Sequence, residues 1–240
     1  MLGFDNEIIP EKEERPMGKL CKDQLVGKLA ALFKETDQSH IDDAVTQAKG
    51  QLTTEAKRND LEKLFDAQIA TLKNRGVPEQ IVEALQSQKN AAVQKASDMT
   101  IGEGNIPFLP VIKPAYLGYY GLMAMVRNGS KEGYTYLKPA AVTDQFETPD
   151  DLYYIYDVED GNATRGKSPQ DVEKILKQQK RSPLTAAEVV NLCILTDVLS
   201  KHYVWATGSR YESADKVPIV FLDWGEPGLG WDWASYSGAG

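Results

Sequence analysis

The sequence predicts an α+β protein: a helical N-terminal bundle or set of hairpins, then a mixed or antiparallel sheet domain with two or three helices. Three observations predict it. Apolar residues recur at three- and four-residue steps between residues 25 and 96. Beyond residue 105 that period gives way to short runs rich in aromatic and β-branched residues. Two well-capped helices stand among those runs, without the strict spacing of parallel βαβ units. At 240 residues the chain can bury a core without disulfides or metal.

In chain order, residues 1–20 are polar, carry the run EKEERP and read as a solvated arm. Residues 21–104 form the helical region. In its first segment Leu25, Val26, Leu29, Leu32 and Phe33 place one stripe on one face. The second takes Ser39 as N-cap with Asp42 at N3, followed by Ile41, Ala44, Val45, Ala48 and Leu52. The third carries Leu61, Leu64, Phe65, Ile69 and Leu72, and Gly76 stands where a left-handed C-cap is wanted. Pro78 opens the fourth, with Ile81, Val82, Leu85, Val93 and Ala96 facing inward. Short connections favour antiparallel neighbours. The stripe of the fourth helix is thin, so it needs cover from the following domain, from a protein partner or from a second copy of the chain. Over residues 97–105, SDMTIGEGN, the period is lost, and the domain boundary is placed there.

Residues 105–240 make the α+β domain. IPFLPVIKP has three prolines and suits an edge strand or an extended loop. AYLGYYGLMAMV, 115–126, reads as a buried helix weakened by two glycines. GYTYL (133–137) and LYYIYDVED (152–160) read as strands. Asp160-Gly161 then signals a turn that folds the strand back over Ala163 and Thr164. Ser168-Pro169, with Asp171, caps one helix. Thr185 and Glu188 form a capping box on another, with Leu184 and Val189 as its staple and Cys193 within its apolar body. The last strand is VPIVFLDW, 217–224, followed by a glycine-rich loop bearing two tryptophans. There is no internal repeat.

Charge narrows the function classes. The net charge of −8 divides equally on either side of Gly104, so no basic half exists to neutralise phosphates. Nucleic-acid and anionic-membrane binding are therefore not expected. No stretch of 18 apolar residues offers a membrane span, and the acidic start lacks the apolar core of a secretory signal, so the expected location is cytoplasmic. Two cysteines, Cys21 and Cys193, and two histidines, His40 and His202, lie too far apart for a disulfide framework or a zinc motif. No cofactor is expected.

Three groups of residues carry chemistry. Asp157 and Glu159 share a strand face, with Asp160 at the turn and Asp223 ending another strand. Such carboxylates suit a hard cation or, more simply, a solvated face. Residues 161–168, GNATRGKS, match G-x-x-x-x-G-K-[ST] letter for letter. Arg165, Gly166, Lys167 and Ser168 are thus anion-binding candidates at a helix N-terminus, although Pro169 and the acidic strand before the loop argue for plain capping. Cys193 and His202, read as one helix, fall on opposite faces and offer no catalytic pair. The aromatic residues Trp205, Tyr211, Trp224, Trp231, Trp233 and Tyr236, with Arg210, form either a ligand platform or a tail that folds back and buries its indoles.

The pieces DVEDG (157–161), TRGKSP (164–169), SPLT (182–185), GSRY (208–211) and FLDW…GLGWDW (221–233) together resemble an uncharacterised bacterial family, a conserved domain of unknown function. The resemblance covers roughly residues 105–240, implies a bacterial source and carries over no catalytic role. The expected function is non-enzymatic: a binding or interaction protein, with the helical region supplying packing or self-association. The alternative is a nucleotide- or phosphate-binding protein, or an enzyme, using Gly161–Ser168 with nearby carboxylates.

Overall fold

Helix α1 (Gln38–Asn74) is one continuous element where the sequence predicts two helices. Between Leu52 and Leu61 there is neither glycine nor proline to break it. Thr53 donates back to the Lys49 carbonyl (2.9 Å), and Arg58 pairs with Glu62 one turn on (3.1 Å). Ser39 therefore lies inside the helix rather than capping it. The computed structural model describes residues 38–237. The expected arm, the stripe from Leu25 to Phe33, and Cys21 lie outside the described residues. The described residues divide into two units between Thr53 and Thr54. In the described part of the first, Val45 and Leu52 are exposed.

In the second unit Gly76 ends α1 with φ +83° as expected, its N–H bonded to Lys73 and that of Val77 to Leu72, a Schellman closure. The next stretch, expected as one helix, is two. They are α2 (Glu79–Ser87) and α3 (Lys89–Asp98), broken at Gln88 (φ −89°, ψ 1°), whose side chain donates to the Leu152 carbonyl. Strand β1 (Ile106–Val111) pairs antiparallel with β6 (Tyr153–Val158). Phe65 of α1, Phe108 of β1 and Tyr154 of β6 meet with ring centroids 5.8–6.1 Å apart. Tyr154 also donates to the Leu85 carbonyl, and Gln68 to that of Phe108. One core cluster consequently runs from Leu61 to Leu229 and takes in the helices and the sheets together.

Helix α4 (Pro114–Met125) is buried on one side and kinked at Gly118 (φ +65°). Short strands follow: β2 (Arg127–Asn128) with β3 (Lys131–Glu132), then β4 (Tyr134–Thr135) and β5 (Val142–Asp144). Helices α5 (Pro169–Gln179) and α6 (Ala186–Leu195) carry the caps read from the sequence, including the reciprocal Thr185–Glu188 box. Asn191 of α6 both accepts from and donates to the backbone of Ile112, fixing α6 to the end of β1. Strands β7 (Val204–Trp205), β9 (Lys216–Asp223) and β10 (Glu226–Trp233) join β4 in the sheet order β4-β10-β9-β7. Among the described residues only the β4–β10 pair is parallel. Strand β8 (Ser209–Tyr211) pairs with β5. The glycine-rich segment expected as a loop is thus a full strand.

Candidate functional site

The end of β6 begins the site. Asp157 has φ +52°, a left-handed conformation inside a strand. Its carboxylate accepts from the Gly102 N–H (2.8 Å), the Asn105 amide (2.8 Å) and the Arg181 guanidinium (2.6 Å), and Arg181 also donates to its carbonyl. Burial works to raise the Asp157 carboxyl, but the Asn105, Gly102 and Arg181 bonds prevail and hold it below its ordinary range. Arg181 is delivered by the end of α5, where Lys180 turns left-handed and the Arg181 N–H closes on Leu176.

After β6 the chain does not fold back as a strand over Ala163 and Thr164. Glu159 accepts the Ala163 N–H and Asp160 the Asn162 N–H, and these bonds wind residues Asn162–Thr164 into a 3-10 turn. Gly161 (φ +96°) permits that entry and also a close approach: a Cβ there would sit 3.2 Å from the His202 ring. The turn continues through Gly166 (φ +73°) into α5. Ser168 is buried and committed to the cap, accepting from Asp171 N–H and donating to its carboxylate. The preceding strand belongs to a two-stranded antiparallel sheet.

These segments enclose a cavity of about 410 Å³. Residues 157–161, 164–167 and 181–184 line it, together with Glu188 and the run 202–205. Glu188 is buried, accepting from Thr185 N–H (2.7 Å) and Tyr153 hydroxyl (3.0 Å), and its burial pushes the carboxyl above the usual range. His202 is 5% exposed; its Nδ1 lies 2.8 Å from the Tyr203 carbonyl, and its Nε2 has no hydrogen-bond partner among the described residues.

The predicted residues divide as follows. Asp157, Glu159, Asp160, Arg165, Gly166 and Lys167 share the cavity, whereas Ser168 serves the helix cap and is absent from the wall. Asp223 stands apart at the β9 end, accepting from Tyr134, and no three His, Cys, Asp or Glu side chains converge for a metal among the described residues. Arg210 binds the Thr207 and Ser209 carbonyls and pairs with Glu173, so it braces α5 against β8. Tyr211 stacks under Trp231 (6.3 Å), Trp231 meets Trp233 edge-on (5.5 Å), and the Lys216 ammonium lies 4.1 Å from the Trp231 ring centre. Trp231 and Trp233 remain 37% and 51% exposed, so the tail does not bury its indoles. Trp224 is 94% exposed at the hairpin tip, away from the other two.

His202 does not belong to the Thr185 helix, which ends at Leu195; it follows the 3-10 turn Val198–Ser200. Cys193 is buried and outside the cavity, with burial pushing its thiol well up. His202 and Arg181 were the residues sequence reasoning missed as site members. The only local signal was Gly161, a glycine where another group had to come close. No helix among the described residues is long and apolar enough to cross a membrane.

No curated protein and no solved structure matches the chain. A model of one protein family matches it over residues 63–237, taking in the last third of α1 as well as the cavity. The match therefore reaches further toward the N-terminus than the pieces that first carried the resemblance, and the chain belongs to the family of unknown function DUF5701.

Proposed function

We propose that the protein is a non-enzymatic binding protein and that its ligand is a small anion-bearing molecule held in the cavity at the Gly161–Ser168 loop. One observation carries this reading. Three of the five short pieces on which the resemblance rests, all between residues 157 and 185, come together on a single cavity. Its rim supplies positive charge. Lys167 makes no ion pair among the described residues, Arg165 stands beside it, and the Gly166 N–H donates to no backbone carbonyl among them. These donors lie at the start of α5, where the helix dipole favours negative charge. Binding suits the loop better than turnover, because Ser168, Glu159 and Asp160 are already engaged in holding the turn and cap.

Thermal shift and calorimetry with inorganic phosphate test the reading. Saturation near 100 times Kd is expected to stabilise the protein by about 2.7 kcal/mol, and Lys167→Ala to weaken phosphate roughly tenfold, a loss of one charge-assisted contact. No response to phosphate at low ionic strength would overturn it.

A second reading, docking of a protein partner, is favoured by the exposed aromatic residues Trp224, Trp231 and Trp233. A second copy of the chain on the α1 face that exposes Val45 and Leu52 is the homo-oligomeric form of that reading. Light scattering decides between self-association and a monomer. We also propose a bacterial cytoplasmic location, which the resemblance of residues 105–240 and the evenly spread acidic charge support.

A further inference from the structure

Resting on the reading that the Lys167 rim holds an anion, we propose that His202 accepts a hydrogen bond from a hydroxyl of the same ligand, so that the cavity takes a phosphorylated sugar or polyol. A carbonyl oxygen only accepts, so the 2.8 Å contact with Tyr203 makes Nδ1 the protonated nitrogen of His202. In the neutral ring Nε2 then keeps its lone pair, and no donor among the described residues reaches it. A buried acceptor in this position is normally satisfied. His202 stands in the cavity wall, facing Gly161 closely enough that no larger residue at 161 would fit unshifted.

The same wall is rich in acceptors. Glu159 and Asp160 each accept one N–H from the turn and retain further lone pairs. Trp205 also lines the cavity, and its indole is of the kind that packs against sugar C–H groups. Donors at the Lys167 rim and acceptors around His202 are the complement of a phosphate monoester carrying free hydroxyls. The volume of about 410 Å³ lies within the range of small-molecule sites.

The test compares, by calorimetry on the full chain, ribose 5-phosphate with propyl phosphate, which carries the same anion without hydroxyls. Ribose 5-phosphate is expected to bind at least about tenfold tighter, since a site built for a hydroxyl discriminates against an analogue lacking it. His202→Phe is expected to abolish that preference, so that the variant binds ribose 5-phosphate no more tightly than it binds propyl phosphate. On ¹⁵N-histidine-labelled wild-type protein, the His202 Nε2 resonance is expected to shift with ribose 5-phosphate and not with propyl phosphate. This spectrum and the wild-type ligand pair decide the matter even if His202→Phe does not fold. Equal affinity for the two esters, or an unmoved Nε2 resonance, would overturn the role of His202 while leaving the anion site standing. Binding of neither ester would overturn the anion site, and this inference with it.

Discussion

At φ +52° Asp157 occupies a region that costs most L-residues about 1–2 kcal/mol and aspartate somewhat less. Four hydrogen bonds from Gly102, Asn105 and Arg181 hold it there. Because its folded carboxyl is held below the ordinary value near 4, its contribution to stability is fully present above that value. It is lost as pH falls through the depressed folded one. Asp157→Asn keeps the shape and the tolerance for left-handed backbone but leaves Arg181 without its counter-charge. The variant is expected to lose about 1–3 kcal/mol at pH 7, with the gap to wild type shrinking once pH drops below about 4. Urea titrations of both proteins at pH 7 and pH 3 measure this. A gap that is absent at pH 7, or equally large at pH 3, contradicts the account. The fixed backbone at Asp157 also directs the loop beyond it toward His202.

The β9–β10 hairpin shows which elements sequence pattern can and cannot reveal. The caps of α5 and α6 are local devices, a side chain bonding a backbone group three residues away, and they are legible residue by residue. Strand β10 was not legible, because Gly228 and Gly230 rate as strand breakers until the cross-strand neighbour is known. Phe221 lies over both: a Cβ at Gly228 would come within 2.9 Å of its ring, and one at Gly230 within 3.1 Å. Likewise the sequence predicts two helices across α1 because its apolar stripe fades between Leu52 and Leu61, although nothing there breaks a helix. The hairpin turn itself, Trp224 at φ +50° and Gly225 at φ +80°, has type I′ geometry, which favours Asn-Gly. The Trp224 indole touches solvent almost entirely, and only its carbonyl is used, accepting from Lys131. Trp224→Asn is therefore expected to raise stability by about 0.5–1 kcal/mol, read as a higher urea midpoint. A lower midpoint would mean that the indole makes a stabilising contact. A rise would mark Trp224 as a residue kept at a cost in stability, the pattern of a docking side chain.

At the scale of the whole molecule the candidate site was legible only as separate words. Residues 157–161 and 164–168 stood out by spacing and glycine content. That Arg181 and His202 complete their cavity follows from tertiary closure across 24 and 41 residues respectively, which no periodicity encodes. The same non-local logic bears on how the chain holds together. Phe65, Gln68 and Leu85 of the helical stretch pack or bond directly onto Phe108 and Tyr154 of the first sheet pair. Lys95 of α3 lies 4.2 Å over the Tyr156 ring, one residue from Asp157. Removing residues before 105 would strip one face of β1 and β6, exposing Phe108 and Tyr154 and leaving the Phe108 carbonyl without its donor. Each large side chain uncovered forfeits about 1.5–3 kcal/mol of burial, and a typical domain has only about 5–15 kcal/mol in total. A chain of residues 54–240 is thus expected to unfold in one cooperative transition by calorimetry. A chain of residues 105–240 is expected to lack that transition and to bind a hydrophobic dye. If residues 105–240 instead melted cooperatively near the temperature of the longer chain, the helices would be an accessory to a sheet that stands alone, and the Asp157 end of the cavity would owe them nothing.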